Sequence, residues 1–116
     1  MKSDLPNLYP LAPAALHILM ALAAEELHGY GIMQVVARES ENRYRMGPGT
    51  LYDNLQRLMQ QGLVEEAGHG RGEHSRRIYY RLTASGRRVF STEIARLETM
   101  VRNARAYLNA PRPRRT

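Results

Sequence analysis

Cysteine is absent from this chain, and so are tryptophan and any apolar run long enough to cross a bilayer. The lack of cysteine excludes a disulfide framework, a thiol nucleophile and any thiolate metal site, and it permits a reducing compartment. The longest apolar stretch, Leu11 to Ala24, is interrupted by Pro13 and His17. It therefore reads as a buried helix and not as a membrane span. The first seven residues carry Lys2, Asp4 and Pro6 with no apolar segment of a leader behind them, so a cytoplasmic protein with no membrane partner is expected. Catalytic signatures are missing too: there is no nucleophile elbow, no phosphate-cradling loop and no pair of carboxylates in a plausible cleft. An enzyme is not expected, nor is a cofactor.

What is present fits one small domain. A length of 116 residues with 43% hydrophobic content supports a modest single core. The net charge of +6 favours polyanionic partners, and its distribution is uneven. Residues 1–62 hold five Lys/Arg against six acids, whereas residues 63–116 hold twelve arginines against five acids. The positive field belongs to the second half.

Pro13 suits the first turn of a helix, where its missing N–H costs nothing, and Leu16, Leu19, Met20, Ala23 and Leu27 recur at helical spacing. This predicts a first helix ending near His28 and Gly29. A second, from about Tyr30 to Ser40, places Ile32, Val35 and Val36 on one face. The tight, glycine-containing link between the two resembles a helix-turn-helix corner. Glu41 to Met46 is polar and aperiodic, and a third helix is predicted from Pro48 to Gln61. Leu51, Leu55 and Leu58 share one side of it, while Gly62 stands where a terminating left-handed residue belongs. The opposite side carries Thr50, Asp53, Gln56, Arg57 and Gln60, flanked by Tyr52 and Asn54.

Two β-like runs follow, Leu63 to Ala67 and Arg77 to Leu82, joined by a loop with three glycines. Thr83 is a plausible N-cap for a last helix from Ala84 to about Asn109. In that helix Phe90, Ile94, Leu97, Val101, Ala104 and Leu108 step by four and three, an a/d seam. At 1.5 Å per residue the helix spans roughly 39 Å, too long to bury its stripe on so small a domain. The expected fold is therefore mainly α with a small β-hairpin: a winged helix-turn-helix over residues 1–83, a dimerisation helix over 84–109 and a disordered basic tail over 110–116.

The order helix, helix, polar-faced helix, basic hairpin meets the physical needs of duplex recognition. A major groove admits one helix, and a wing reaches neighbouring backbone. Thr50, Asn54, Gln56 and Arg57 are candidates for base contacts. Tyr30, Tyr52, Arg71, Arg76 and Arg77 are candidates for phosphate, with Arg81 beside them. Asp53 would repel phosphate on this face unless it accepts from a cytosine amino group or pairs with Arg57. Tyr52 and Tyr30 have an alternative in packing, and Tyr79 and Tyr80 should point to opposite faces of their strand. His69 and His74 lie at a spacing that invites a metal, but with no third ligand in the motif no metal site is expected. His17 is read as a core or interface histidine.

Four segments together resemble the PadR family of bacterial transcriptional regulators. They are His28-Gly29-Tyr30-Gly31-Ile32, Gly49-Thr50-Leu51-Tyr52 with Leu55 and Leu58, Gly62-Leu63-Val64, and Arg76-Arg77-Ile78-Tyr79-Tyr80-Arg81-Leu82-Thr83-Ala84-Ser85-Gly86. The likeness extends over about Leu11 to Ala104, and the single C-terminal helix looks like the short subfamily. It implies a homodimeric repressor on operator DNA, relieved by a small hydrophobic, phenolic or multidrug-like effector. Some members line a pore with tryptophan, which the C-terminal helix here lacks. A natural effector pocket is the seam of the long helices with helix one, at Leu16, Met20, Phe90, Leu97 and Val101, residues that serve equally as dimer core. The rival reading is a winged-helix module whose basic half grips an acidic protein; a third is an architectural protein binding duplex without sequence choice.

Overall fold

The computed structural model describes residues 8–113. The leader reading of residues 1–7 and the last three positions of the expected tail lie outside the described residues. Residues 111–113 have no regular structure and are exposed.

Four helices and three strands follow one another as α1 (Pro13–Ala24), β1 (Leu27–His28), α2 (Gly29–Glu39), α3 (Pro48–Gln60), β2 (Val64–His69), β3 (Ile78–Leu82) and α4 (Ala84–Asn109). Among the described residues no helix is long and apolar enough to cross a membrane. Helix α1 carries its proline in the first turn, as its sequence predicts, but ends four residues earlier than expected. Glu25 is fully extended there, and a Glu25-Glu26 pair is a poor continuation at the negative end of a helix dipole. The chain then pairs antiparallel with β3, Leu27 opposite Tyr80 and His28 opposite Tyr79. The expected two-stranded hairpin is thus a three-stranded sheet in the order β1-β3-β2. Two residues of strand are too short to leave a period in the sequence.

The corner in front of α3 also moves. It is the segment from Ser40 to Gly47, between α2 and α3, and not the link between α1 and α2. Glu41 and Asn42 both adopt left-handed backbone, and the Asn42 N–H donates to the Ala37 carbonyl at 2.7 Å, which closes α2. The Ser40 hydroxyl oxygen accepts from the Tyr44 N–H at 2.9 Å, and the Tyr44 ring stacks on His17 with centroids 4.4 Å apart. Helix α3 ends as predicted. Gly62 has φ +76°, and the Leu63 N–H reaches back to the Leu58 carbonyl at 2.9 Å.

The core gathers one face of each element. Ile18, Leu19 and Leu22 of α1, Ile32 and Val36 of α2, and Leu51, Leu55 and Leu58 of α3 meet Leu63, Val64, Tyr80 and Leu82 of the sheet. Helix α4 joins through Gly86 and Val89, with Phe90 half-buried beside them. Thr83 caps α4 by accepting from the Gly86 N–H at 2.9 Å, and its N–H donates to the Leu63 carbonyl at 3.1 Å. Gly86 lies so close to that carbonyl that a β-carbon there would overlap it.

One charged side chain enters the interior. Glu93 is 1% exposed, and its carboxylate accepts two bonds from the Arg96 guanidinium, at 2.6 and 2.8 Å, and one from the Leu11 N–H at 3.0 Å. The Arg96 bonds, opposed by burial and helped by the Leu11 N–H, hold this carboxyl below the usual range. Sequence reasoning missed it, although Glu93 falls in helical phase with Gly86 and Val89.

Candidate nucleic-acid interface

Helix α3 is two-sided because its sequence is. Leu51, Leu55 and Leu58 are at most 2% exposed, while Thr50, Asp53, Gln56, Arg57 and Gln60 on the far side face solvent. Pro48 opens the helix and Gly47 and Gly49 stand clear of neighbours, so the first free N–H groups of α3 sit on an unobstructed end.

The two flanks differ. On one, Tyr52 leans over the start of α2: a β-carbon on Gly29 would overlap the Tyr52 hydroxyl, so glycine is what lets the ring approach. Tyr52 remains 48% exposed and Tyr30, one residue past Gly29, is 59% exposed. The two hydroxyl-bearing rings therefore belong to the same end of the α2–α3 unit. On the other flank, the Asn54 amide donates to the Thr50 carbonyl at 2.8 Å. With Arg57 it lines a crevice of about 100 Å³ against Leu8, Leu11, Ala12 and Ala15. Asn54 is half-buried there, whereas Thr50, Gln56 and Arg57 are exposed.

The wing is β2, β3 and the turn between them. Its tip folds into a single 3-10 turn, Gly72–His74, and the Gly70 N–H donates to the Arg77 carbonyl at 2.9 Å. Arg71 and Arg76 are exposed at the tip and Arg77 is half-buried at its base. Arg81 does not join them. Its Nε donates to Glu65 at 2.8 Å and a terminal nitrogen lies 3.6 Å from Glu26, so those two carboxylates hold its guanidinium charged and occupied. The expectation of Arg81 as a phosphate contact is corrected accordingly. His28 packs at a tilt against Tyr79, and burial, with Arg77 and His74 nearby, pushes its imidazole below the usual value. Tyr80 is buried and Tyr79 half-buried, on opposite faces as their alternation predicts. Among the described residues no three potential metal ligands converge.

The model of the PadR-like family of transcriptional regulators matches residues 18–92, which contain α2, α3 and the wing entire. A transcriptional regulator of Mycobacterium tuberculosis, Rv3488, is 36% identical over 91 residues, 78% of this chain and 81% of that one. The chain belongs to the PadR-like family of transcriptional regulators. Solved structures agree on the PadR-like fold. A PadR family transcription regulator from Clostridium difficile superposes with a TM-score of 0.73 at 19% identity, covering 84% of this chain and 100% of that one. Bacillus subtilis PadR in complex with operator DNA superposes at 0.61 with 21% identity, covering 91% of this chain and 52% of that longer one.

In this PadR-like chain the long helix leaves the body after its first half. From Glu98 to Asn109 every residue of α4 is exposed. Of the seam expected from the sequence, Phe90 is packed against the chain's own core, Leu97 is half-buried, and Ile94, Val101, Ala104 and Leu108 are open, Leu108 at 84%. Ile94, Leu97 and Val101 line a shallow groove of about 450 Å³ together with Glu98, Arg102 and Arg105. Of the expected effector-pocket residues, Leu97 and Val101 border this groove. Leu16 is half-buried and Met20 exposed on α1, and neither they nor Phe90 line it.

Proposed function

We propose that the chain is a cytoplasmic, homodimeric repressor that binds an operator with inverted half-sites about one helical turn, roughly 34 to 36 Å, apart. Residues 1–83 act as the reading head and residues 84–109 as the dimerisation helix, whose seam runs through Phe90, Ile94, Leu97, Val101, Ala104 and Leu108. The observation that carries this reading is the far side of α3, where Thr50, Asp53, Gln56, Arg57 and Gln60 face outward over a hidden leucine row. Such a helix has the donors and acceptors for base edges and few of the aromatic anchors that a protein interface favours. Bacillus subtilis PadR, which shares the fold, is known in complex with operator DNA.

In the proposed complex Thr50, Gln56 and Arg57 approach bases, with Asn54 at the edge of the contact. Tyr30, Tyr52, Arg71, Arg76 and Arg77 hold phosphates on either side. A small hydrophobic or phenolic effector would act at the α1–α4 seam, on Leu16, Met20, Phe90, Leu97 and Val101. Selection of bound fragments from random duplex, followed by gel-shift titration at rising salt, tests the reading. Arg76→Ala combined with Arg77→Ala should lower the slope of log affinity against log salt by about two. An unchanged slope removes the wing from the interface. Equal binding of selected and random duplex removes sequence-specific recognition.

A further inference from the structure

The exposed end of α4 is asymmetric across its apolar stripe. On one border stand Glu98 and Arg105, seven residues and two turns apart, and both line the groove with Ile94, Leu97 and Val101. On the other border stand Glu93, Met100 and Tyr107. Glu93 is buried and bonded to Arg96 and Leu11 within its own chain. Among the described residues Glu98 and Arg105 make no ion pair within the chain, so their charges face whatever fills the groove.

Resting on the homodimer reading above, we infer that the groove is filled by α4 of a second copy running antiparallel, with Glu98 of each chain opposite Arg105 of the other. Paired helices of a/d type have two ways to align. In a parallel pair the residues on one border meet those on the other border of the partner. Glu98 would then face Glu93 of the second copy, a like charge already committed, and Arg105 would face Met100. In an antiparallel pair like borders meet. Setting Leu97 against Leu108 of the second copy and Val101 against Ala104 brings Glu98 to Arg105 twice, by symmetry, and Met100 to Tyr107. The two-fold axis then crosses α4 between Arg102 and Asn103. The points where the helices leave their heads, at Leu97, lie eleven residues or about 16 Å apart along the pair. The heads stand at opposite ends, as two half-sites require, whereas a parallel pair would crowd them at one end. Solvent-exposed ion pairs contribute little affinity. Here they select orientation, through the repulsion that the other alignment incurs.

The absence of cysteine makes the alignment directly readable. Leu97→Cys and Leu108→Cys chains, prepared separately, should form no disulfide alone under mild oxidation, because like positions are about 16 Å apart. Mixed, they should give a 97–108 linked dimer. Self-linking of each variant alone would overturn the antiparallel assignment. As a second measurement, Glu98→Arg should weaken the dimer about tenfold, and adding Arg105→Glu to it should restore the dissociation constant to within about threefold. A double variant weaker than either single one would also overturn it. Sedimentation equilibrium of the unaltered chain separates the two readings: a monomer at all concentrations sinks the homodimer, while a dimer whose like cysteines self-link sinks only the orientation.

Discussion

Helices α3 and α4 are both amphipathic, yet only α3 has its apolar face fully covered within the chain. The leucines of α3 are enclosed by α1, α2 and β2, and its polar face is the one left free. Helix α4 has two adjoining stripes. Gly86, Val89 and Glu93 face the body and are buried, while the stripe through Ile94, Val101 and Leu108 departs into the open. The contrast teaches that a periodic apolar face states a requirement for burial without stating who supplies it. Where the same chain supplies it, the free side of the helix is polar and available for recognition. Where it does not, the apolar side is itself the recognition surface.

Substitutions on the covered and open faces should therefore behave differently. Leu55→Ala removes a side chain 1% exposed at the centre of the covered face and should cost about 4 kcal/mol in denaturant unfolding, whatever the protein concentration. An effect below about 1 kcal/mol would mean that the α3 face is not packed as described. Gly86→Ala forces a β-carbon onto the Leu63 carbonyl and should cost about 3 kcal/mol, since α4 must shift from its seat. Glu93→Ala leaves the Leu11 N–H without its buried acceptor and should cost about 2 kcal/mol. Its pH signature is more telling. A carboxyl held low in the folded chain contributes stability that is complete above the ordinary carboxylate range and fades as pH falls through the lowered folded value. Acid titration of unfolding should thus be shallower for Glu93→Gln than for the unaltered chain, and parallel curves would remove this role from Glu93. The smallest effect belongs to the open stripe. Leu108→Ala should leave the stability of dilute monomer unchanged to within about 0.5 kcal/mol, and should weaken self-association instead. A large loss at high dilution would show that Leu108 is covered within its own chain.

The parts legible in the sequence were those written as period or punctuation. The leucine row and closing Gly62 outlined α3, and Thr83 with the four-three spacing outlined α4. The parts that escaped depend on partners distant in the chain. Strand β1 exists because Tyr79 and Tyr80 offer an edge to Leu27 and His28, which have no pattern of their own. Arg81 is a basic residue in a basic stretch, and only the cross-strand position of Glu65, with Glu26 from the α1–β1 link, withdraws it from the wing's free charge. Asn54 sits at the border of the predicted polar face, and which way such a residue turns depends on the segment from Leu8 to Ala15 beside it. The proximity of Tyr52 to Gly29 is of the same kind. Each glycine in that region is visible in the sequence, but the ring it accommodates is not.

The short strand β1 has a mechanical consequence. Because Leu27 and His28 are laced to β3 on one side and continue directly into α2 on the other, the wing is no independent flap. A displacement of β3 drags the first turn of α2 along with it, and Tyr30 travels too. The grip at the wing and the grip at α2 thus loosen or tighten as one, so an influence that tilts the sheet would release both ends of the head's hold in a single motion.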